Sequence, residues 1–399
     1  MKVLLVNKFL YRAGGAENYI FNVGNLLKKN GHEVQYFGLK DEKNIVESNN
    51  SYVTNYENKK VLNPLTLIYN LEAKRKIKKV IKEYKPDIVH FNNISYHLTS
   101  SIIDMCYKMK VPMVMTNHDP QLVCPNHMLY RFDNKKICNE CIERKDFKSC
   151  IKYKCLKGSL VKSYIAYFES IFAHKYKKYE KISKFICPSN FMKEKLLAGG
   201  IEKEKIILLR NFSNLINNEN VVEKKDYILY FGRLSEEKGI DILINALPKN
   251  INLIIAGSGP LEEKIKSIKE NNIKYVGFKS GEELRKLIKE ALFTVYPSKW
   301  YENAPLSIFE SITLGTPVIA TNEGGIKELV DENVNGLFFE NENVEDLKNK
   351  IELLYSNKEL RENMYMKCYE YKKVPNEEKY IQELLKIYEE CIENEKNIK

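Results

Sequence analysis

The stretch "KWYENAPLSIFE", residues 299–310, places two carboxylates eight positions apart, Glu302 ahead of Pro305 and Glu310 beyond it. Proline suits the first turn of a helix and Gly315 suits its end. Glu302 is therefore expected in a loop after the strand "LFTVYPS", and Glu310 inside the following helix. At about 100° per residue, Glu310 falls between Leu306 and Leu314, on the side that should face a core. An ionised carboxyl there is costly unless something hydrogen-bonds to it. A vicinal diol, such as a ribose, could donate two hydrogen bonds and offset that cost. The alternatives are a helix-surface glutamate or a partner to a nearby lysine. The amides around Asn303 to Leu306 would face an anion, Pro305 itself carrying no N–H.

A second stretch, "LYFGRLSEEKGIDILINAL", reads as a strand ending at Gly232 and a helix beginning near Ile240. Arg233 and Lys238 then share one strand-to-helix loop and can converge. Two cations beside a helix N-terminus form a good diphosphate site, because the dipole and the free N–H groups already favour an anion. Arginine can chelate phosphate oxygens bidentately, and lysine adds a compact charge. The bland alternative is an exposed loop with solvated charges.

The elements that must position these residues follow from an alternation of short β-branched runs and amphipathic segments along the whole chain. "KVLLVN", "HEVQYFG", "PDIVHFN" and "VPMVMTNHD" alternate with helical stretches, and the pattern restarts at "DYILYFG". Such alternation predicts α/β architecture with parallel sheets built from βαβ units. The Asn-rich "NFSNLINNENVVEKKD" reads as a linker. The expected division is an N-terminal domain over 1–212 with a cysteine-rich insert at about 120–157, a linker at 213–226, a second domain over 227–375, and a helix over 376–399 packing back toward the first domain. Ligands of doubly wound sheets bind beyond the carboxyl ends of the strands, which is where Glu302, Arg233 and Lys238 fall.

A chain of 399 residues is too long for one ordinary core. No stretch reaches the roughly 20 apolar residues of a membrane span, so a cytoplasmic protein is expected. The net charge of +11 is concentrated in runs such as "EAKRKIKKVIKEYKP" and "AHKYKKYEKISK". Each run alone reads as a solvated helix face. Together with the aromatic and lysine alternation of "SLVKSYIAYFESIFAHKYKKYEK", they suggest a peripheral contact with anionic lipid headgroups on the inner face of the membrane. No nucleic-acid recognition motif accompanies the charge.

The order "GRLSEEKG", "YVGF", "ENAPLSIFE", "TNEGGIKELVDENVNGLFF" resembles the second domain of retaining glycosyltransferases of the GT-B fold, specifically family 4 of the bacterial surface-polysaccharide type. "GGAEN", "TNHD" and "FICPSNFM" resemble its first domain, so the likeness spans nearly the whole chain. The resemblance implies two Rossmann-like domains facing each other across a deep cleft. It implies a UDP- or GDP-sugar donor and a lipid-linked or oligosaccharide acceptor, with base recognition near 275–279. Arg233 and Lys238 would grip the diphosphate, Glu310 the ribose, and Glu302 the donor sugar. Asn303, Ala304, Pro305 and Leu306 would line the sugar and phosphate site. Gly14 and Gly15 would let backbone approach the phosphates, and His118, oriented by Asp119, would face the reacting sugar. Transfer would retain anomeric configuration without a catalytic metal or other cofactor. The competing expectations are a GT-B sugar-nucleotide epimerase, for which no acid/base set is visible, and a zinc-dependent nucleic-acid binder.

Five of nine cysteines fall within 124–155. Cys138 and Cys141 form C-x2-C, and Cys150 and Cys155 form C-x4-C. In a reducing compartment such clustering favours thiolate metal binding over disulfides. The expectation is a closed structural zinc held by Cys138, Cys141, Cys150 and Cys155, with Cys124 as alternative ligand; the other reading is a loop of unmetallated thiols.

Overall fold

The computed structural model describes residues 1–46, 52–55, 64–212, 222–371, 373 and 375–397. The chain forms two compact units, one of Met1–Asn211 with Glu377–Lys399, the other of Phe212–Asn376. Of the stretch read as a linker, 213–221 lies outside the described residues. Its described end belongs to the second unit: the Lys225 amide donates to the Glu290 carbonyl, and the Lys224 ammonium donates to Thr316 Oγ1 at 2.8 Å.

In the first unit the strands are β1 (Lys2–Val6), β2 (Glu33–Phe37), β3 (Ile88–Phe91) and β4 (Met113–Thr116). A small hairpin of β5 (Tyr130–Arg131) and β6 (Lys136–Ile137) precedes β7 (Lys184–Cys187) and β8 (Ile206–Leu208). The main sheet is parallel, in the order β2-β1-β3-β4-β7-β8. "IVHF" of β3 and "MVMT" of β4 are buried at every position, as expected for strands covered on both faces. Strand order reverses between β1 and β3. That switch point opens the crevice in which the loops after β1, β3 and β4 meet.

His90, in the middle of β3, is fully buried. Its Nδ1 meets the Tyr388 hydroxyl at 2.6 Å and its Nε2 meets Thr116 Oγ1 at 2.8 Å. Tyr19 continues the chain of polar contacts, at 3.0 Å from Thr116 Oγ1 and 2.5 Å from the Tyr380 hydroxyl. Tyr380 and Tyr388 lie on the C-terminal helix Glu377–Asn397. This satisfied network fixes where that helix sits on the first unit.

In the second unit the strands are β9 (Ile228–Phe231), β10 (Leu253–Ala256), β11 (Ile273–Tyr275), β12 (Thr294–Tyr296), β13 (Val318–Thr321) and β14 (Gly336–Phe339). Their order, β11-β10-β9-β12-β13-β14, is parallel throughout and reverses between β9 and β12. One face packs Ile228, Tyr230, Ile255, Val295 and Ile319 against the helices Ile240–Ala246 and Val344–Ser356. The other places Ile308, Phe309 and Ile312 of the helix Leu306–Thr313 against Val318 and Ala320. Among the described residues no helix is long and apolar enough to cross a membrane.

Candidate functional site

The switch point of the second unit sets the loop after β9 beside the loop after β12. The first, Gly232–Gly239, carries Arg233 and Lys238; the second, Pro297–Pro305, carries Glu302. Gly239 makes their close approach possible. It adopts φ +70°, and a Cβ there would lie 1.8 Å from the Pro297 carbonyl oxygen. Only glycine fits both that backbone and that space.

Lys238 is thereby delivered to Glu302, its ammonium 2.6 Å from Oε1. The same oxygen accepts from Ser298 Oγ and from Trp300 Nε1, both at 2.7 Å. The Lys238 ammonium also donates to the Tyr296 hydroxyl at 3.2 Å and lies 5.3 Å from the centre of the Trp300 ring. Burial and the neighbouring Glu302 push the Tyr296 phenol well above its ordinary range. Glu302 is also clamped through its backbone, whose carbonyl accepts the Gly325 amide at 2.7 Å. Gly324, at φ +60°, permits this, since a Cβ there would sit 2.3 Å from that carbonyl oxygen.

The expectation that Arg233 and Lys238 form one cationic clamp is thus modified. Lys238 is ion-paired to Glu302, while Arg233 is exposed. The helix after them has seven residues and is preceded by a separate 3-10 turn, Glu236–Lys238. Its dipole is correspondingly short. A diphosphate arriving here would meet Arg233 directly and would compete with Glu302 for Lys238.

The helix Leu306–Thr313 begins as the sequence predicts, with Pro305 at its cap and Gly315 just past its end at φ +78°. Asn303, Ala304 and Leu306 are half-buried and Pro305 is buried. Contrary to the expectation that it faces a core, Glu310 is half-buried on the side of the helix that carries Leu306 and Thr313, opposite the face that packs Ile308, Phe309 and Ile312 against the sheet, and it is not ion-paired. Its carboxylate makes no hydrogen bond or ion pair among the described residues. Desolvation alone raises its pKa from 4.5 to about 7. A carboxyl held in that state is poised to accept hydrogen bonds from a ligand.

In the first unit, His118 follows β4 and is half-buried. Its Nε2 donates to Asn92 Oδ1 at 2.8 Å, and its ring takes the edge of Tyr19 with centroids 4.7 Å apart. Burial lowers its pKa to about 3, so the imidazole is neutral near pH 7. Asp119 does not orient it. That carboxylate accepts the Gln121 amide at 3.0 Å and lies 3.9 Å from His127 Nδ1. Asn92, at the end of β3, is the orienting partner instead.

Gly14 caps the helix Gly15–Lys29 with φ −174°, an extended backbone open to any residue. A Cβ there would meet Glu17 Oε2 at an ordinary 3.5 Å. The glycines therefore leave room at the loop without being required by its backbone. Glu17, in the first turn, is buried and accepts from Asn7 Nδ2 at 3.0 Å.

Sequence reasoning missed Asn92, Tyr19, Ser298, Tyr296 and Trp300. The chain's only tryptophan standing two residues before Glu302 was an available signal; Tyr19 and Asn92 reach His118 from other elements and gave none. The basic run 173–184 also behaves differently from expectation. Lys178 is buried, and its ammonium and that of Lys181 bind Asp104 at 2.6 and 2.5 Å.

Among the described residues, no three His, Cys, Asp or Glu side chains are gathered closely enough to hold a metal ion as they stand. All nine cysteines are free thiols.

Comparison with known proteins adds to this geometry. Residues 13–215 match the family model described as Glycosyltransferase Family 4, and residues 211–371 match Glycosyl transferases group 1. An uncharacterized glycosyltransferase of Methanocaldococcus jannaschii, MJ1178, is 33% identical over 214 residues, 52% of this chain and 59% of that protein. The chain therefore spans less than two thirds of that relative's length. An uncharacterized 42.6 kDa protein in the cps region of Klebsiella pneumoniae is 23% identical over 354 residues, 82% of this chain and 87% of that one. Among solved structures, Alr3699/HepE of Anabaena, in complex with UDP and glucose, superposes with a TM-score of 0.67 at 17% identity, covering 98% of this chain and all of that one. Its likeness shows the same GT-B fold. The epimerase and nucleic-acid alternatives gain no support from these matches.

Proposed function

Because this chain belongs to glycosyltransferase family 4, we propose that it transfers a hexose from a UDP-sugar to a hydroxyl of a saccharide or lipid-linked saccharide in the building of a surface polysaccharide. The observation that carries the donor half of this reading is Glu310, a half-buried carboxyl on the helix after β12 with no hydrogen-bond or ion-pair partner among the described residues. UDP rather than GDP is favoured by the Anabaena structure, which holds UDP. The acceptor class is favoured by the cps-region relative.

The chemistry follows from what these side chains can stabilise. Glu310 accepts both ribose hydroxyls. Arg233 and the amides ahead of Leu306 hold the diphosphate. Breaking the anomeric C–O bond places negative charge on the departing phosphate, and Lys238, already fixed by Tyr296 and Trp300, stabilises it electrostatically. Glu302, with one oxygen held by Ser298 and Trp300, orients the sugar hydroxyls. In the first unit His118 is held through Nε2 by Asn92, and as a neutral imidazole it is the histidine we assign to the transfer. The acceptor attacks the face the phosphate leaves, and that phosphate takes the acceptor's proton. Anomeric configuration is then retained with no second carboxylate as base. Arg233 and Lys238 supply the positive charge, so no metal is required.

An interfacial site for the lipid-linked acceptor is favoured by the helix Leu160–Lys175. Val161, Tyr164 and Phe168 are 69%, 44% and 51% exposed and recur at helical spacing along one face. Lys157, Lys162 and Lys175 are exposed on or beside the same helix. Leu65, 67% exposed, extends the apolar surface from the helix Pro64–Ile68 packed beside it.

The test is mass-spectrometric screening of UDP- and GDP-sugars with the intact chain, with and without a chelator. Release of UDP from one UDP-sugar, unaffected by chelation and abolished in Glu302→Gln, is expected. Turnover of a GDP-sugar alone would replace the donor, and activity lost to the chelator and restored by a divalent cation would refute the metal-free mechanism.

A further inference from the structure

Within the insert between β4 and β7, five cysteines from separate pieces of chain line one cavity of about 20 Å³: Cys124, Cys138, Cys141, Cys150 and Cys155. The surrounding elements are small. The hairpin strands have two residues each, and the helices Glu140–Arg144 and Lys148–Lys152 have five. Six non-glycine residues here adopt positive φ: His127, Leu129, Lys135, Lys145, Lys154 and Lys157. Left-handed backbone at non-glycine residues costs free energy, and so small a body buries little apolar area to offset it. Folds of this size ordinarily carry a disulfide or metal staple, and these cysteines form no disulfide.

A free buried cysteine can pack as a small hydrophobe. Five facing one cavity is a different arrangement from single thiols dispersed in a core. Three of them make weak S–H contacts that a metal would replace: Cys124 donates to Asn126 Oδ1 at 2.9 Å, Cys150 to the Ser163 carbonyl at 3.7 Å and Cys155 to the Ser149 carbonyl at 3.9 Å. A neutral thiol is a weak donor, so exchanging these contacts for metal–sulfur bonds costs little.

We propose that Cys138 and Cys141, together with two of Cys124, Cys150 and Cys155, bind a structural zinc ion in a closed tetrathiolate site. Binding releases one proton per ligating thiol. The sulfurs must rotate inward across the cavity to reach Zn–S distances of about 2.3 Å, since they are not yet gathered around a point. The insert begins just past His118, and Tyr96 donates its hydroxyl to the Pro125 carbonyl. The ion would therefore stiffen the loop that carries His118. None of this depends on the donor reading above.

The experiment is elemental analysis of the full chain, purified under reducing conditions without chelator, followed by replacement with cobalt. About one equivalent of zinc per chain is expected, together with an intense thiolate-to-cobalt charge-transfer band in the near ultraviolet. Cys138→Ser and Cys141→Ser should each lose the metal, as should the double variant Cys124→Ser with Cys155→Ser, whereas the control Cys106→Ser keeps it. Where a variant does not fold, the accessibility of the native thiols decides: zinc should slow their reaction with a thiol reagent at least about tenfold, and a chelator should reverse this. No zinc and no cobalt band in the native chain, equal thiol reactivity with and without zinc, or iron with sulfide in its place would overturn the site. Metal retained by both Cys138→Ser and Cys141→Ser would overturn the ligand set.

Discussion

Replacing Glu310 by glutamine should change stability and donor binding in opposite directions. In the free protein the carboxyl is desolvated and unpartnered, with a pKa near 7 against 4.5 in a solvated chain. A folded-state pKa above the unfolded one means the native state binds the extra proton between those values. The associated stability is complete below about 4.5 and is lost as pH rises through about 7. The shift corresponds to about 3 kcal/mol at most. Glu310→Gln, which removes the charge and keeps the shape, should therefore raise the unfolding midpoint near pH 8 and leave it little changed near pH 4. Donor binding requires the ionised form, which accepts both ribose hydroxyls. Apparent affinity for a UDP-sugar should fall about tenfold between pH 8 and pH 6, following the fraction ionised. The UDP-sugar diphosphate is a diester and does not titrate in that range. In Glu310→Gln the pH dependence should vanish, and affinity at pH 8 should drop about 10- to 100-fold through loss of charge-assisted hydrogen bonds. Calorimetry at both pH values measures the second effect, and thermal melts measure the first. Wild-type and variant affinities that change with pH in parallel would refute the ribose assignment, as would a variant less stable than the wild type at pH 8.

Three further outcomes follow from the geometry. Gly239→Ala forces a Cβ against the Pro297 carbonyl at positive φ and should cost at least about 1–3 kcal/mol; an unchanged denaturant midpoint would show that the two loops are not locked together. Lys238→Met, with Ser298 and Trp300 still holding Glu302, should lower kcat about 100-fold or more while changing donor Kd much less. A weaker donor Kd with kcat unchanged would confine Lys238 to ground-state binding. Val161→Glu with Phe168→Glu should abolish sedimentation with vesicles rich in anionic phospholipid while leaving transfer to a soluble saccharide unchanged; retained sedimentation would remove that helix as the contact.

The sequence by itself determined the layers. Strands buried on both faces, such as "ILYF" and "IVHF", must be near-continuously apolar, and alternation with amphipathic helices left few architectures open. It also determined which loops to search, because ligands of such sheets gather where strands end. Pro305 and Gly315 marked the helix that carries Glu310, but periodicity set that acid toward the core, whereas the packed face is that of Ile308, Phe309 and Ile312 and Glu310 is half-buried on the other side. Spacing within a loop is a local property and survives in one dimension. Side-chain partnership is not. That Lys238 pairs with Glu302, 64 positions away, depends on β9 and β12 being neighbours in the sheet and on Gly239 fitting under Pro297. That Asn92 rather than the adjacent Asp119 holds His118 depends on β3 and β4 being paired. The contact of Tyr19 with Tyr380 joins residues 361 apart, and no local pattern could encode it. Hydrogen bonds act over about 3 Å, so which groups share one is decided only when tertiary packing brings distant strands and helices to that range.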